Sequence, residues 1–529
     1  MSKRFIDYYL EAVTKKEGSG GGSATLIDKN ITANGTYNAL DDSADGYKKV
    51  VVNVPTGGGG GGDANADVIF IDYDGTIVDS YTKEDFLALS AMPENPSHEG
   101  LTAQRWNWSF ADAQAYVRKY GALVVGQMYI TDDGKTRIFV SLNAGTLNPY
   151  VGIGLNGTAE VDWGDGSAPD TITGTSLTSL KYASHNYSQK GDYVITIDVK
   201  SGSASLFGAS NGTSYYRTAL LRSTSGSATS TNQAVDRTYA KCIHGVMIGD
   251  GITNLGNYAF VYCYSLQFVV IPDGVTISGT TQFSNCFELK SITIPDDATS
   301  LPNSSFSNCY ELQSIAIPNG VTSAGGSVFS SCHELQAVTL PEGITSIGSS
   351  IASDCYSLRT FIIPDGVTSI AANALTKCYA LESLIIPEGV ISIGSSAFSY
   401  CYNLKSVKIP DSVTSLGNTM MMRCFGLLSL TLPEGITNIP GICSSCYGLE
   451  TITIPDSVTS ISDSAFDSAS LVEIHVLPQT PPTIGSNSFT KYDNMVIYVP
   501  YSEDHSILDA YKAATNWSSF ASYMQEEPQ

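Results

Sequence analysis

Phe398-Ser-Tyr-Cys401-Tyr-Asn-Leu-Lys-Ser-Val-Lys-Ile-Pro410-Asp-Ser-Val-Thr-Ser-Leu416 decides the fold, because the chain repeats it. Cysteines stand at strict 23-residue intervals at Cys263, Cys286, Cys309, Cys332, Cys355, Cys378, Cys401 and Cys424, and Cys446 follows after 22. Prolines keep the same beat from Pro272 to Pro433, then at Pro455 and Pro478. A period of this size marks a solenoid, whose units bury their apolar faces only against their neighbours. Within the unit Leu404, Val407, Ile409, Val413 and Leu416 are interspersed with Ser, Thr and Lys, as short strands with one buried face require. About ten coils at a strand spacing of ~4.8 Å give a rod of roughly 50 Å. Rods of this kind offer an extended binding surface.

The bulk composition narrows the function further. The chain has 529 residues, enough for several domains, with only 15 % charged residues and a net charge of −23. Phosphate binding needs clustered Lys and Arg, so nucleic acid and anionic membrane are excluded as partners. No run of 18 apolar residues is present, so no membrane insertion is expected. The segment Met1–Glu17 lacks an apolar core and a small-residue cleavage site, so no export signal is expected there. Each repeat Cys is read as a small buried hydrophobe rather than as half of a disulfide framework.

Six segments follow from patterning. Residues 1–17 form a short amphipathic docking helix with Phe5, Ile6, Tyr9, Leu10 and Val13 on one face. Residues 18–62 hold a small β module between the glycine runs Gly18–Gly22 and Gly57–Gly62. Residues 63–140 read as a small α/β domain. In it Val68–Ile71 is a strand, Thr82/Asp85 and Ser109/Asp112 are capping boxes, and strands near 123–130 and 136–141 are joined by Asp132-Asp133-Gly134. Residues 141–225 read as a β-sandwich, 226–500 as the solenoid and 501–529 as a helical cap in which Tyr511 and Trp517 cover the exposed end.

Three resemblances sharpen this picture. The consensus IP[DE]GVTSIGxxAFxxCYxLxSI resembles the BspA-like leucine-rich repeat family over about half of the chain. Val161-Asp-Trp-Gly-Asp-Gly-Ser167, His185-Asn-Tyr187 and Gly191-Asp-Tyr-Val-Ile-Thr-Ile-Asp-Val199 resemble the polycystic-kidney-disease (PKD) type of immunoglobulin-like domain, which implies a spacer or adhesion module. Ile31–Tyr37 with Asp45–Pro55, and Pro93–Gln104, resemble small elements in structural proteins of phages that infect gut bacteria. The expected fold class is therefore mainly β. A leucine-rich-repeat solenoid of 23-residue period is preceded by a PKD-type sandwich and by small N-terminal α/β and β modules.

Several constellations compete as sites. Asp72, Asp74, Asp79 and the later Asp132-Asp133 resemble the acids of haloacid-dehalogenase-type phosphatases, where the leading Asp is the nucleophile. That chemistry needs a parallel sheet of several βα units, for which the segment is too short, so a strand and turn is preferred. A calcium loop at Asp72, Asp74 and Asp79 lacks the glutamate at its twelfth position. Cys443-x-x-Cys446 places Cys443 where other coils carry Phe260, Phe283, Phe306, Phe329 and Phe398, so it is read as core. The six histidines do not cluster, and no catalytic order of Ser, His and Asp appears. Trp106 and Trp108 are read as local core. No catalytic residue, metal site or cofactor is expected.

The residue after each repeat Cys is aromatic or His, including Tyr264, Tyr310, Tyr356, Tyr379, Tyr402 and Tyr447. Stacked coils turn these into a ladder. It is either a platform for a sugar or protein, or a cover packed over the Cys row. Outward strand positions Ser291, Thr293, Ser314, Thr339, Thr360, Ser406, Thr431, Thr451 and Thr453 make a polar, weakly charged face.

Together these features point to a non-enzymatic surface protein. Lacking an export signal, it is expected on a phage virion as a tail fibre, baseplate or head fibre protein. It would be assembled in the host cytoplasm, released by lysis and exposed to the exterior. Its repeats recognise a host surface protein or glycan. Its N-terminus binds other virion structural proteins, and a homo-oligomer is expected. The alternative is a bacterial cell-surface BspA-like adhesin.

Overall fold

The computed structural model describes residues 37–40, 49–52, 66–72, 76–98, 101–210, 216–225, 230–292 and 294–528. The chain divides into two units, Met1–Thr56 and Gly57–Gln529. In the first, β1 (Tyr37–Leu40) and β2 (Lys49–Val52) pair antiparallel with Tyr37 opposite Val52. The docking residues Phe5, Ile6, Tyr9, Leu10 and Val13 lie outside the described residues, as do both glycine runs.

The second unit opens with a small α/β module of β3 (Val68–Ile71), β4 (Ile77–Tyr81), α1 (Lys83–Ala88), β5 (Leu101–Trp106), α2 (Phe110–Tyr120) and β6 (Leu123–Thr131). Its sheet runs β4-β3-β6-β5, with β3 and β6 parallel and the outer pairs antiparallel. Both capping boxes form: Thr82 accepts from Asp85 N, and Ser109 accepts from Asp112 N. Gly121 ends α2 at φ 89°, a left-handed conformation that glycine adopts without steric cost. Phe70, Phe86, Trp106, Trp108, Tyr116 and Val117 fill the module's core.

The next strand corrects one expectation. β6 and β7 (Thr136–Leu142) do not form a hairpin across Asp132-Asp133-Gly134. β7 pairs instead with β10 (Gly191–Leu206) and with Ile243–Met247. Its alternation buries Ile138, Val140 and Leu142, and those side chains belong to the core that continues into the repeats rather than to the module.

The sandwich is not confirmed. β8 (Tyr150–Asp162), β9 (Asp170–Ser184), β7 and β10 are hydrogen-bonded within one nine-stranded sheet. Long strands in one sheet must bend, and bulges supply the bend. Register shifts fall between Gly154 and Leu155 and between Val199 and Ser201. Gly157 (φ 135°) and Gly202 (φ 76°) face each other, where a Cβ on either would lie within 2 Å of the opposite strand's carbonyl oxygen. The quoted motif residues make a local lock. Tyr187 Oη donates to Trp163 O at 2.7 Å, and His185 stacks on the Trp163 ring with Nε2 2.8 Å from Asp165.

This sheet passes directly into the solenoid. β10 pairs parallel with Ile252–Leu255, and Ile243–Met247 pairs parallel with Phe268–Val270. From there about 12 turns stack over residues 245–526. Two strand rows run along the rod, each in a register of one coil: Ala337↔Thr360 in the first, Ser346↔Ser369, Ser369↔Ser392 and Ser392↔Ser415 in the second. Leu, Ile, Val and Phe side chains from every coil join one continuous core. At the far end α3 (Ser506–Ala513) and the 3-10 turn Trp517–Tyr523 lie on the last coils. Tyr511 Oη donates to Pro478 O at 2.6 Å, and Trp517 Nε1 donates to Pro482 O at 2.7 Å.

Candidate functional site: the outward face of the repeats

The coil itself explains why Cys recurs. Every repeat Cys from Cys263 to Cys446 is fully buried. From the second coil on, each sulfur also lies beside a carbonyl of the coil before: Cys286 Sγ to Phe260 O, Cys309 to Phe283 O and Cys332 to Phe306 O at 3.2 Å, Cys355 to Phe329 O at 3.1 Å. Burial disfavours the thiolate and pushes the Cys424 thiol up to about 12, so the group keeps its proton and acts as a weak donor. A serine at this place would carry a stronger donor on a shorter bond, and an alanine would leave space. Cys443 and Cys446 depart from this pattern: both are buried, and they are joined in a disulfide, which the reading of Cys443 as plain core does not include.

The aromatic ladder forms along the rod, though not as an open platform. Tyr264, Phe287, Tyr310, His333, Tyr356, Tyr379, Tyr402, Phe425 and Tyr447 stack in unbroken order, with centroids 4.5–5.2 Å apart. Each interior ring therefore spends both faces on its neighbours and presents only an edge. A sugar stacks on a ring face, so the interior rings Tyr310, Tyr356, Tyr379 and Tyr402 cannot receive one. Tyr264 has Lys241 Nζ 5.0 Å from its ring centre. Tyr447 ends the row and is the most open, 36 % exposed against 8 % for Tyr356.

The residues seven places after each Cys point outward from the first strand row, and their fate changes along the rod. Val270, Ala316 and Thr339 are buried, and Ile362 packs against the module's core. The next one, Ile385, is 82 % exposed, and Lys408, Thr431 and Thr453 after it are open to solvent. The α/β module causes the difference by lying across the earlier coils. Ile71 and Val124 pack on Ala316, and Leu101 and Tyr129 pack on Val270. Trp108 Nε1 donates to Ile317 O at 3.2 Å, and Tyr116 Oη donates to Leu340 O at 2.8 Å. Lys119 bridges Glu342 and Asp365 at 3.1 and 3.2 Å, and Arg105 bridges Asp273 and Asp296 at 2.9 Å each. The polar face expected along the whole rod is thus open only from Ser383 onward. There Ser383, Ser406, Ser429 and Thr451 line one row, Ile385, Lys408, Thr431 and Thr453 the next, and Leu428 stands 58 % exposed beside them. Ser291 and Thr293 cannot be placed on either part, since Thr293 and the Ser291 side chain are not described. The sequence carries no clean signal for the cover: Val270, Ala316 and Ile362 are apolar at this position, but the covered Thr339 is polar and the open Ile385 is apolar.

The phosphatase-like acids are held in structural bonds. Asp72 is buried, accepts from Tyr129 Oη at 2.8 Å and lies 2.6 Å from His98 Nε2. Asp79 accepts from Tyr81 Oη, Asp132 accepts from Thr102 Oγ1 at 2.6 Å, and Asp133 pairs with Arg137 at 2.7 Å. Asp74 lies outside the described residues. Among the described residues no group of three or more His, Cys, Asp or Glu is placed to hold a metal ion, and no helix is long and apolar enough to cross a membrane.

A stacked array of 23-residue coils with two parallel strand rows and an outward polar face is a leucine-rich-repeat solenoid. Residues 253–382 and 368–496 match the model of the BspA type leucine rich repeat region, in 6 copies. A leucine rich cell surface protein from Faecalibacterium prausnitzii is 29 % identical over 49 % of this chain and 86 % of its own, with a TM-score of 0.30. A leucine-rich repeat protein from Bacteroides ovatus is 23 % identical over 54 % of this chain and 85 % of its own (TM-score 0.39). The pneumococcal vaccine antigen PcpA is 15 % identical over 54 % and 77 % (TM-score 0.33). A search of curated proteins found no match.

Proposed function

We propose that the chain is a non-enzymatic surface-recognition protein of the BspA-like adhesin kind, which binds a protein or glycan on another cell through the open stretch of its repeats. One observation carries this: the outward face runs uncovered from Ser383 to Thr453 and mixes exposed Ile385 and Leu428 with Lys408 and hydroxyl side chains. Apolar anchors set among polar groups suit a recognition surface better than a merely solvated sheet. The BspA-type repeats support placement on a cell surface or outside the cell. The finer reading, a virion fibre protein docked through residues 1–17, rests on the phage-like stretches 31–55 and 93–104, and no structural observation favours it over the cell-surface one.

Binding of the purified full chain to intact host cells, read by flow cytometry, tests the proposal. The variants Ile385→Ser and Lys408→Glu should each weaken it about tenfold, the scale of a lost hot-spot contact. A substitution on the covered coils, Thr360→Ala, should not. Equal binding by all forms would refute the assignment of the face.

A further inference from the structure

The residue after each repeat proline is Asp or Glu from Pro272 to Pro455, except at Asn319. Coils ~4.8 Å apart bring these carboxylates into one row, close enough for a single cation to reach two of them. The α/β module uses the row in this way. Arg105 sits 2.9 Å from both Asp273 and Asp296, and Lys119 sits 3.1 Å from Glu342 and 3.2 Å from Asp365. Asn319, the uncharged position, faces the module's own carboxylate: its Nδ2 donates to Asp112 at 3.3 Å. Cations of the module thus meet acids of the row, and its acid meets the amide. Beside the row, the module's apolar side chains lie on Val270, Ala316 and Ile362.

Both features continue past the module's edge. Ile362 is covered, and Ile385, at the same place one coil on, is 82 % exposed. In the row Glu388, Asp411, Glu434 and Asp456 are all exposed. Lys408 Nζ lies 3.3 Å from Glu388 and neutralises it. Among the described residues no Lys, Arg or His pairs with Asp411, Glu434 or Asp456. Asp411 Oδ1 accepts Glu434 N at 2.9 Å, just as Asp273 Oδ1 accepts Asp296 N at 3.1 Å while Asp273 Oδ2 binds Arg105. The backbone bond therefore leaves the second oxygen of Asp411 for a cation. Like charges one coil apart repel one another until a cation lies between them.

Charge also selects the partner. A second copy of this chain carries the same net charge of −23 and is repelled. A neutral glycan brings nothing to a row of carboxylates. We propose that the open coils hold a cationic segment of a partner protein, with Lys or Arg side chains set between Asp411 and Glu434 and between Glu434 and Asp456, as Arg105 is set between Asp273 and Asp296. This rests on the open coils being the recognition face and adds the chemistry of the partner, while Ile385 supplies the apolar contact beside the row.

The full chain and intact host cells test it by flow cytometry. The triple variant Asp411→Asn/Glu434→Gln/Asp456→Asn should bind about tenfold more weakly, the scale of three exposed ion pairs lost together. Asn at 411 keeps the oxygen that accepts Glu434 N, so melting should not change. Asp297→Asn/Asp493→Asn/Glu503→Gln removes the same charge from exposed positions outside the open row and should bind as the unaltered chain does. Trypsin treatment of the cells, which cuts proteins after Lys and Arg, should abolish binding, and added salt should weaken the unaltered chain more than the row triple. Ile385→Ser separates the two readings. If it weakens binding and the row triple does not, the face stands and the cationic partner falls; if neither variant weakens binding, both fall. An equal loss in the control triple, or binding that survives trypsin, would also overturn the proposal.

Discussion

Replacing Cys355 by Ser tests the internal logic of the rod. The sulfur is fully buried and lies 3.1 Å from Phe329 O, while the same oxygen also accepts Cys332 N at 3.1 Å. The thiol contributes packing and one weak bond, and its removal does not orphan the carbonyl. In Cys355→Ser the shorter Cβ–O bond draws the donor back from Phe329 O, and a hydroxyl replaces sulfur in a fully buried site. Burying a poorly bonded hydroxyl costs about 1–3 kcal/mol in proteins. Cys355→Ala loses the packing and the weak bond to Phe329 O but buries no hydroxyl, and should cost about 1 kcal/mol, close to one methylene of buried surface. Urea denaturation followed by circular dichroism measures both, with an unchanged slope showing that the folded state kept its extent. Native thiols should also resist Ellman's reagent until the rod unfolds, because buried thiols are inert. Cys286→Ser, Cys355→Ser and Cys424→Ser with wild-type midpoints, or quick labelling of the folded chain, would refute an internal Cys row.

Other outcomes follow from single side chains. Glu334 is pushed up to about 7 by burial and by Glu311 in the preceding coil. An acid with a raised pKa stabilises the fold below its unfolded value of about 4.5 and loses that contribution as pH rises through about 7. Glu334→Gln should therefore flatten the fall of melting temperature across that window, and an unchanged slope would refute the assignment. Tyr116→Phe removes the bond to Leu340 O and should loosen the module by about 1 kcal/mol, seen as faster amide exchange in α2 than in the repeats. Ser350 holds φ 53°, a conformation β-branched residues avoid, so Ser350→Val should cost about 1–2 kcal/mol in thermal melts while Ser350→Gly costs little.

The repeats were legible because one feature, period, recurs through every coil and each coil meets only its neighbours. Cys401, Pro410 and the Leu404–Leu416 pattern suffice to place two strand rows and a buried thiol. Long-range pairing left no such trace. Thr136–Leu142 alternates like any half-buried strand, and nothing local says that its partners are Gly191–Leu206 and Ile243–Met247 rather than Leu123–Thr131. The motif around Trp163 and Tyr187 was readable as a family resemblance, while its role as a local lock and the joining of those strands to the solenoid in one sheet were not. At the candidate site the ladder was visible as spacing. Its face-to-face stacking depends on ring orientation, which spacing does not encode. The cover over the early coils was not legible, because Val270, Ala316 and Ile362 share their place in the coil with the buried Thr339 and with Ile385, which is apolar and open.

Trp108 and Tyr116 grip the carbonyls of Ile317 and Leu340, equivalent atoms of two adjacent coils, and Lys119 reaches onward to Asp365. The module thus gauges the pitch of the rod at its proximal end, and insertion of a partial coil there would break its grip. Among the described residues no such caliper lies past Ile385, and neighbouring coils there meet through similar surfaces. Whole coils can be duplicated or lost in that distal stretch by unequal recombination, so reach can diversify between lineages while the gripped end stays constant.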